Sequence, residues 1–277
     1  YGTWVIREIE SPTGFVLSEE EIVVTVGKVD EVVEIELVNY FIKGNIELTK
    51  VDADYPDNKL TGAVFEVYAD TNGNGEFDKD DELCGEMTEL EGGVYQMTEL
   101  RYGKYFVREK TVPEGFVLDD VVYGVSIEEN GKTYTVENKA GVGFINDAQK
   151  GSLKIVKTSS DGKVEGFSFR VTSADGYDQT FKTDKNGEIF IEGLRIGEYT
   201  VSEVSDSASA GYILPADKQA TVKTDSTTIV EMHNEFRDTP KTGDDFNLGL
   251  WVSLAAASVI GAGVLGFVGF KKKKKED

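Results

Sequence analysis

The chain has 277 residues, and 51 acidic against 29 basic side chains leave a formal net charge of -22. A surface that acidic repels phosphate backbones and anionic headgroups, which argues against nucleic acid as a partner. A single cysteine, Cys84, and a single histidine, His233, exclude an internal disulfide and a Cys/His zinc cluster, and both read as ordinary strand residues.

Tyr1 opens inside a strand-like pattern carried by Trp4 and Ile6, so the chain reads as the continuation of a longer one, with its signal peptide and further domains upstream. Self-comparison then finds three copies of one pattern. Gly2-Thr3-Trp4-Val5-Ile6-Arg7-Glu8 aligns with Gly103-Lys104-Tyr105-Phe106-Val107-Arg108-Glu109 and with Gly197-Glu198-Tyr199-Thr200-Val201-Ser202-Glu203. Pro12 with Gly14-Phe15 and Pro113 with Gly115-Phe116 follow at equal offsets, while the third copy reaches Gly211-Tyr212 after a Ser/Ala stretch two residues longer.

A second pattern marks the seams. Asn39 is followed by Gly44 and Lys50, and Asn146 by Gly151 and Lys157, at the same offsets. After Asn234 the Gly offset reaches Thr239. The expected organisation is a partial domain over 1–43, complete domains over 44–150 and 151–237, and a terminal segment over 238–277. Between seams apolar residues recur with period two, as in Phe167, Phe169 and Val171, and Asp161-Gly162 and Asn186-Gly187 supply hairpin turns. With 30 Gly, five Pro and no helical period before the terminal segment, each repeat is predicted to be a small all-β sandwich of short antiparallel strands.

Within the second repeat, Asp70, Asn72, Asn74, Asp78 and Asp81, with Gly75 at the sixth position, match the spacing of a twelve-residue calcium loop. The last position carries Asp where that loop has Glu. A calcium site and a plain acidic hairpin loop both stay open at this point.

The terminal segment has three parts: Thr239-Pro240-Lys241-Thr242-Gly243, an uncharged run over 248–270, and a basic tail over 271–277. The run is long enough to cross about 30 Å of hydrocarbon as one transmembrane helix, and Lys271 to Lys275 would hold that end in the cytoplasm. This order resembles the cell-wall sorting signal of Gram-positive surface proteins, Leu-Pro-x-Thr-Gly, with Thr239 in the place of Leu. The resemblance implies that a sortase cleaves after Thr242 and joins the chain to peptidoglycan, with the membrane a transient station.

Each complete domain carries a Lys on its first strand, a Glu on a middle strand and an Asn on its last: Lys50, Glu109, Asn146 and Lys157, Glu203, Asn234. Their surroundings, such as Gly44-Asn45-Ile46-Glu47-Leu48-Thr49-Lys50, resemble the Cna B-type or SpaA-type (prealbumin-like, Ig-like) repeats of adhesins and pilins. That resemblance implies a Lys–Asn isopeptide bond in each domain, assisted by the Glu. Glu8 and Asn39 stand at the matching positions of the first repeat, whose Lys would precede Tyr1. The chemistry is sound on its own terms, because burial favours the neutral amine and the protonated acid that an amidation needs.

The expected function is a wall-anchored surface stalk or adhesin with self-forming cross-links, displaying an unidentified host or community ligand's binding domains from further upstream. The alternatives are a pilus subunit, with Tyr55-Pro56-Asp57-Asn58-Lys59 a faint pilin-like motif, or the spacer of a wall-anchored enzyme. No phosphate-binding loop, metalloprotease signature or nucleophile elbow is present, so the visible chain is not expected to be an enzyme, nor to need a cofactor.

Overall fold

The computed structural model describes residues 1–237, and the expected sorting motif, the expected transmembrane helix and the basic tail lie outside the described residues. Among those described the chain is all β apart from one short 3-10 turn at Glu91–Gly93.

The first unit has two antiparallel strands, β1 (Gly2–Arg7) and β2 (Glu21–Val26). The middle domain contains β3 (Lys43–Asp52), β4 (Val64–Ala69), β5 (Glu82–Glu86), β6 (Thr88–Glu89), β7 (Val94–Arg101), β8 (Gly103–Thr111), β9 (Val122–Ile127), β10 (Thr133–Thr135) and β11 (Phe144–Asn146). They form two sheets, β10-β3-β7-β6 with β11 added on β3, and β5-β4-β8-β9. The third domain contains β12 (Lys150–Ser159), β13 (Ser168–Ser173), β14 (Asp178–Lys182), β15 (Glu188–Arg195), β16 (Gly197–Val204), β17 (Tyr212–Ile213), β18 (Lys218–Val222) and β19 (Thr227–Phe236). Its sheets are β15-β12-β19-β17 and β14-β13-β16-β18.

Alternation places one face of each sheet inward. In β12 every second residue from Gly151 to Lys157 is buried, and Leu153 and Ile155 meet Phe167, Phe169 and Val171 of the opposite sheet in one core. The middle core joins Ile46 and Leu48 to Phe65, Val67, Val107 and Phe144 in the same way. Each such side chain contributes about 1.5–3 kcal/mol on burial, which is how two small domains stand without disulfides.

The sequence predicted antiparallel strands, and the exceptions all lie on the first strand of a complete domain, where β10 also runs parallel to β3. The last strand of each domain runs parallel to the first: β11 beside β3 and β19 beside β12. The chain therefore enters a domain at one end of this pair and leaves it at the other.

Glycines recur for a steric reason. Gly2, Gly103 and Gly197, which open the three aligned strands, have φ of 132°, 151° and 146°, a backbone that a side chain rarely tolerates. At the seams a Cβ on Gly151 would lie 2.1 Å from the Lys223 carbonyl oxygen.

The seams are hydrogen-bonded and repeat. Gly14 O accepts from Ile42 N at 2.8 Å and Ile42 O accepts from Tyr102 N at 2.9 Å. One domain further on, Gly115 O accepts from Gln149 N at 2.8 Å and Gln149 O from Ile196 N at 3.1 Å. Gly211 O likewise accepts from Arg237 N at 2.8 Å. The second seam adds ion pairs, from Arg195 Nη2 to Asp52 at 2.6 Å and Asp54 at 2.9 Å, and from Lys150 to Asp54 at 3.0 Å.

Candidate functional site

Parallel pairing puts the Lys and the Asn of each complete domain on one face of neighbouring strands. Lys50 of β3 is level with Phe144 of β11, and Asn146 stands two residues on, hence on the same face. Lys157 of β12 is level with Met232 of β19, and Asn234 again stands two residues on. The Glu comes from the opposite sheet, on β8 or β16, where inward alternation aims it at that face. All six side chains lie in buried residues, Lys50 and Asn234 with no exposed surface at all.

In the middle domain Lys50 Nζ donates to Phe144 O at 3.0 Å and stands 3.9 Å from Glu109 Oε1. Asn146 Nδ2 donates to Glu109 Oε2 at 2.9 Å, so one carboxyl faces both prospective partners. Burial pulls the Lys50 pKa down to about 8 against the opposing pull of Glu109, Asp119 and Asp52. Burial pushes Glu109 up, opposed first by the Asp119 amide and then by the Asn146 side chain and Lys50.

The third domain differs in detail. Asn234 Nδ2 donates to Glu203 Oε1 at 2.7 Å. Lys157 turns its Nζ onto the Thr158 carbonyl and over the Phe167 ring, 4.3 Å from its centre. Burial lowers the Lys157 pKa and raises that of Glu203. In the first unit Asn39 Nδ2 donates to Glu8 Oε1 at 2.6 Å, and here the Asn39 amide and the Ser18 N–H hold the half-buried Glu8 below the usual carboxylate range.

Within these two sites four buried acceptors accept from no donor: Glu109 Oε1 and Asn146 Oδ1, and Glu203 Oε2 and Asn234 Oδ1. An unsatisfied buried acceptor costs about 1–3 kcal/mol. A proton on the unpaired carboxyl oxygen removes the buried charge and turns that acceptor into a donor, so the sites favour a neutral acid, able to hydrogen-bond to an amide carbonyl. That is the form that polarises the carbonyl for attack.

Sequence reasoning missed a supporting group in the middle domain. Asp119 N donates to Glu109 Oε2 at 3.0 Å, while the Asp119 carboxylate accepts from Tyr123 and Asn138. Asn138 also bonds both backbone groups of Ile145, the neighbour of Asn146. The one sequence signal was the offset of ten from Glu109 to Asp119, repeated from Glu8 to Ser18, where Ser18 N donates to Glu8 Oε2 at 2.8 Å.

The loop from Asp70 to Asp81 satisfies itself. Asp70 accepts from Gly75 N at 2.9 Å and Asp81 from Asp78 N at 2.8 Å, while the Asp78 carboxylate takes the side-chain amides of Asn72 and Asn74. Lys104 brings a cation onto the Gly75 carbonyl at 2.5 Å. One oxygen each of Asp70 and Asp81 is left without a donor, short of the six or more oxygens calcium takes, and no group of three or more acidic, His or Cys residues among those described is placed to hold a metal. As folded, the calcium spacing forms a hairpin loop and does not fit the ion. Tyr55 to Lys59 likewise form an exposed turn between β3 and β4.

Two buried amine–acid–amide sites in tandem β-sandwiches define a class of repeat domain. The chain belongs to the SpaA family, whose model, a prealbumin-like fold domain, matches residues 44–140 and 151–236. No curated protein matches the chain. Among solved structures it is similar to the Bacillus anthracis TIE protein, with 25% identity and a TM-score of 0.65 over 85% of this chain and 42% of that one. It thus spans less than half of that protein. Weaker similarities are to GBS52, the minor pilin of Streptococcus agalactiae (16% identity, TM-score 0.34, 73% of this chain and 99% of that one), and to the pilus adhesin SpaC of Lactobacillus rhamnosus GG (14%, 0.44, 72% and 32%).

Proposed function

We propose that the chain is a cell-surface stalk whose complete domains lock themselves by isopeptide bonds between Lys50 and Asn146 and between Lys157 and Asn234. The observation that supports this most is the single buried carboxyl, Glu109, facing Lys50 at 3.9 Å and bonded to the Asn146 amide at 2.9 Å. The neutral Nζ attacks Cγ of the Asn, a C–N bond forms, and the amide nitrogen leaves as ammonia. The Glu gives its proton to the carbonyl side, and takes up and returns the protons moving from Nζ to the departing nitrogen. Contact within a folded core makes this effectively unimolecular, a gain of about 7–11 kcal/mol. It occurs once per domain, and the chain is not an enzyme.

The parallel strand pair gives the bond its mechanical purpose. Tension entering at the start of β3 and leaving at the end of β11 shears that pair, and a covalent link between them carries the load past the rest of the domain. The seams are then the parts able to lengthen, and their hydrogen bonds and ion pairs resist that.

The motif from Thr239 to Gly243, the uncharged run and the lysine tail support covalent attachment to peptidoglycan by a sortase, with the stalk outside a Gram-positive cell and binding domains further out. The intact mass, expected one ammonia lower per complete domain, tests the cross-links: an unreduced mass sinks them. Incubation with sortase and an amine probe, expected to give a chain ending at Thr242, tests the anchor. High-mass ladders on denaturing gels separate a polymerised pilus subunit from a single anchored stalk.

A further inference from the structure

The three copies can be superposed through their seams, and one backbone donor then goes missing. Gly14, Gly115 and Gly211 each accept from the residue three past the site Asn: Ile42, Gln149 and Arg237. The next residue of each, Phe15, Phe116 and Tyr212, bridges the residue two past that Asn. Four residues beyond each Gly stand Ser18, Asp119 and Pro215. Ser18 and Asp119 each give a backbone N–H to the second oxygen of the site Glu, at 2.8 and 3.0 Å. Pro215 has no N–H to give, and in its domain Glu203 Oε2 is buried without a partner.

Resting on the cross-link reading above, we propose that position 215 is a positioning residue that sets how readily the third domain cross-links: by withholding a backbone donor from Glu203, Pro215 favours the protonated acid that the reaction uses. An N–H donor stabilises a carboxylate and not its acid, and each such bond moves a carboxyl by about one pH unit. The charged groups facing Glu203 are Lys157 of β12 and Asp206 of the loop after β16, and those facing Glu109 are Lys50 of β3 and Asp119. At Glu109 the amide of Asp119 outweighs its own carboxylate and is the largest influence opposing burial.

The reacting state holds a neutral Lys beside a protonated Glu, and competes with the ion pair that carries the same proton on Lys. The rate therefore climbs with pH until Glu ionises, runs level until Lys would lose its proton, and then falls. Restoring the donor with Pro215→Ser, the residue the first unit has as Ser18, lowers that level and moves the acid-side break down, while leaving the climbing limb where it was.

The full chain, recovered unlinked in denaturant and refolded by dilution at a series of pH values, tests this. Samples quenched in acid and digested report the Lys50–Asn146 and Lys157–Asn234 peptides separately. Pro215→Ser and Pro215→Ala are expected to slow Lys157–Asn234 formation about tenfold on the level part, to lower the break by about one pH unit, and to leave the climbing limb and the Lys50–Asn146 link unchanged. No slowing, or equal slowing at every pH as a purely structural fault would give, overturns the proposal. Should both variants fail to refold, the native domains decide, and a break in the third domain at or below that in the middle one overturns it. Absence of ammonia loss at both sites in the native chain would instead sink the cross-link reading itself.

Discussion

Lys50 Nζ and Glu109 Oε1 lie 3.9 Å apart with no side-chain surface exposed on either. Two such groups both charged would carry a heavy desolvation cost at a distance too long for a direct hydrogen bond. Burial shifts both toward their neutral forms, and the neutral pair is the one the proposed cross-link requires.

Glu109→Gln keeps the shape of the site and removes its titrating proton. The variant is expected to lose one ammonia in place of two, the third domain still closing its link. Loss of two ammonias from Glu109→Gln, read by intact mass, would contradict a proton-carrying role for Glu109.

Asn146→Ala deletes the amide and leaves a folded but open domain. The link it removes closes a loop of roughly 100 residues, worth about 4–5 kcal/mol if it behaves as a disulfide of that span. Calorimetry should show the middle domain melting earlier while the third domain's transition stays in place.

In that unlinked variant Lys50 also makes stability depend on pH. Its pKa falls from 10.5 to about 8 on folding, so between those values the unfolded chain binds more protons than the folded one. Stability of the middle domain should therefore rise as pH increases from about 8 toward 10.5, by an amount on the order of 3 kcal/mol. Denaturant titrations showing a flat or falling profile over that window would count against a buried, amine-bearing interior.

Arg195→Ala removes the bridge to Asp52, whose side chain is 3% exposed, and to Asp54. Lys150 and Arg195 hold Asp54 below the usual carboxylate range, so the intact joint should persist into mild acid and loosen only as Asp54 protonates. Distances between labels on the middle and third domains should broaden in Arg195→Ala already at neutral pH. An unchanged distribution would leave the joint to its backbone hydrogen bonds alone.

Much of this was legible in the residues because it repeats. Period-two alternation in a stretch such as Leu153 to Lys157 has one physical solution, a strand with one face buried, and the recurrence of Gly103 and Gly197 at positive φ marks the same turn twice. The Lys, Glu and Asn could be singled out because residues so rarely buried stood in equivalent places twice. Spacing left Asp70 to Asp81 open between a calcium loop and an acidic hairpin, because the hydrogen bonds from the Asn72 and Asn74 side chains to Asp78 exist only once the loop has folded.

The sequence by itself determined the all-β repeats and singled out the Lys, Glu and Asn of each complete repeat as candidates, since local alternation and repetition need no partner strand to be read. Only the tertiary structure decided that first and last strands run parallel, that Asn146 stands two residues past the level of Lys50, and that the Asp119 N–H reaches Glu109 while one oxygen of Glu203 is left without a donor. Those facts depend on which strands meet and in what register, and long-range pairing is set by the packing of whole sheets.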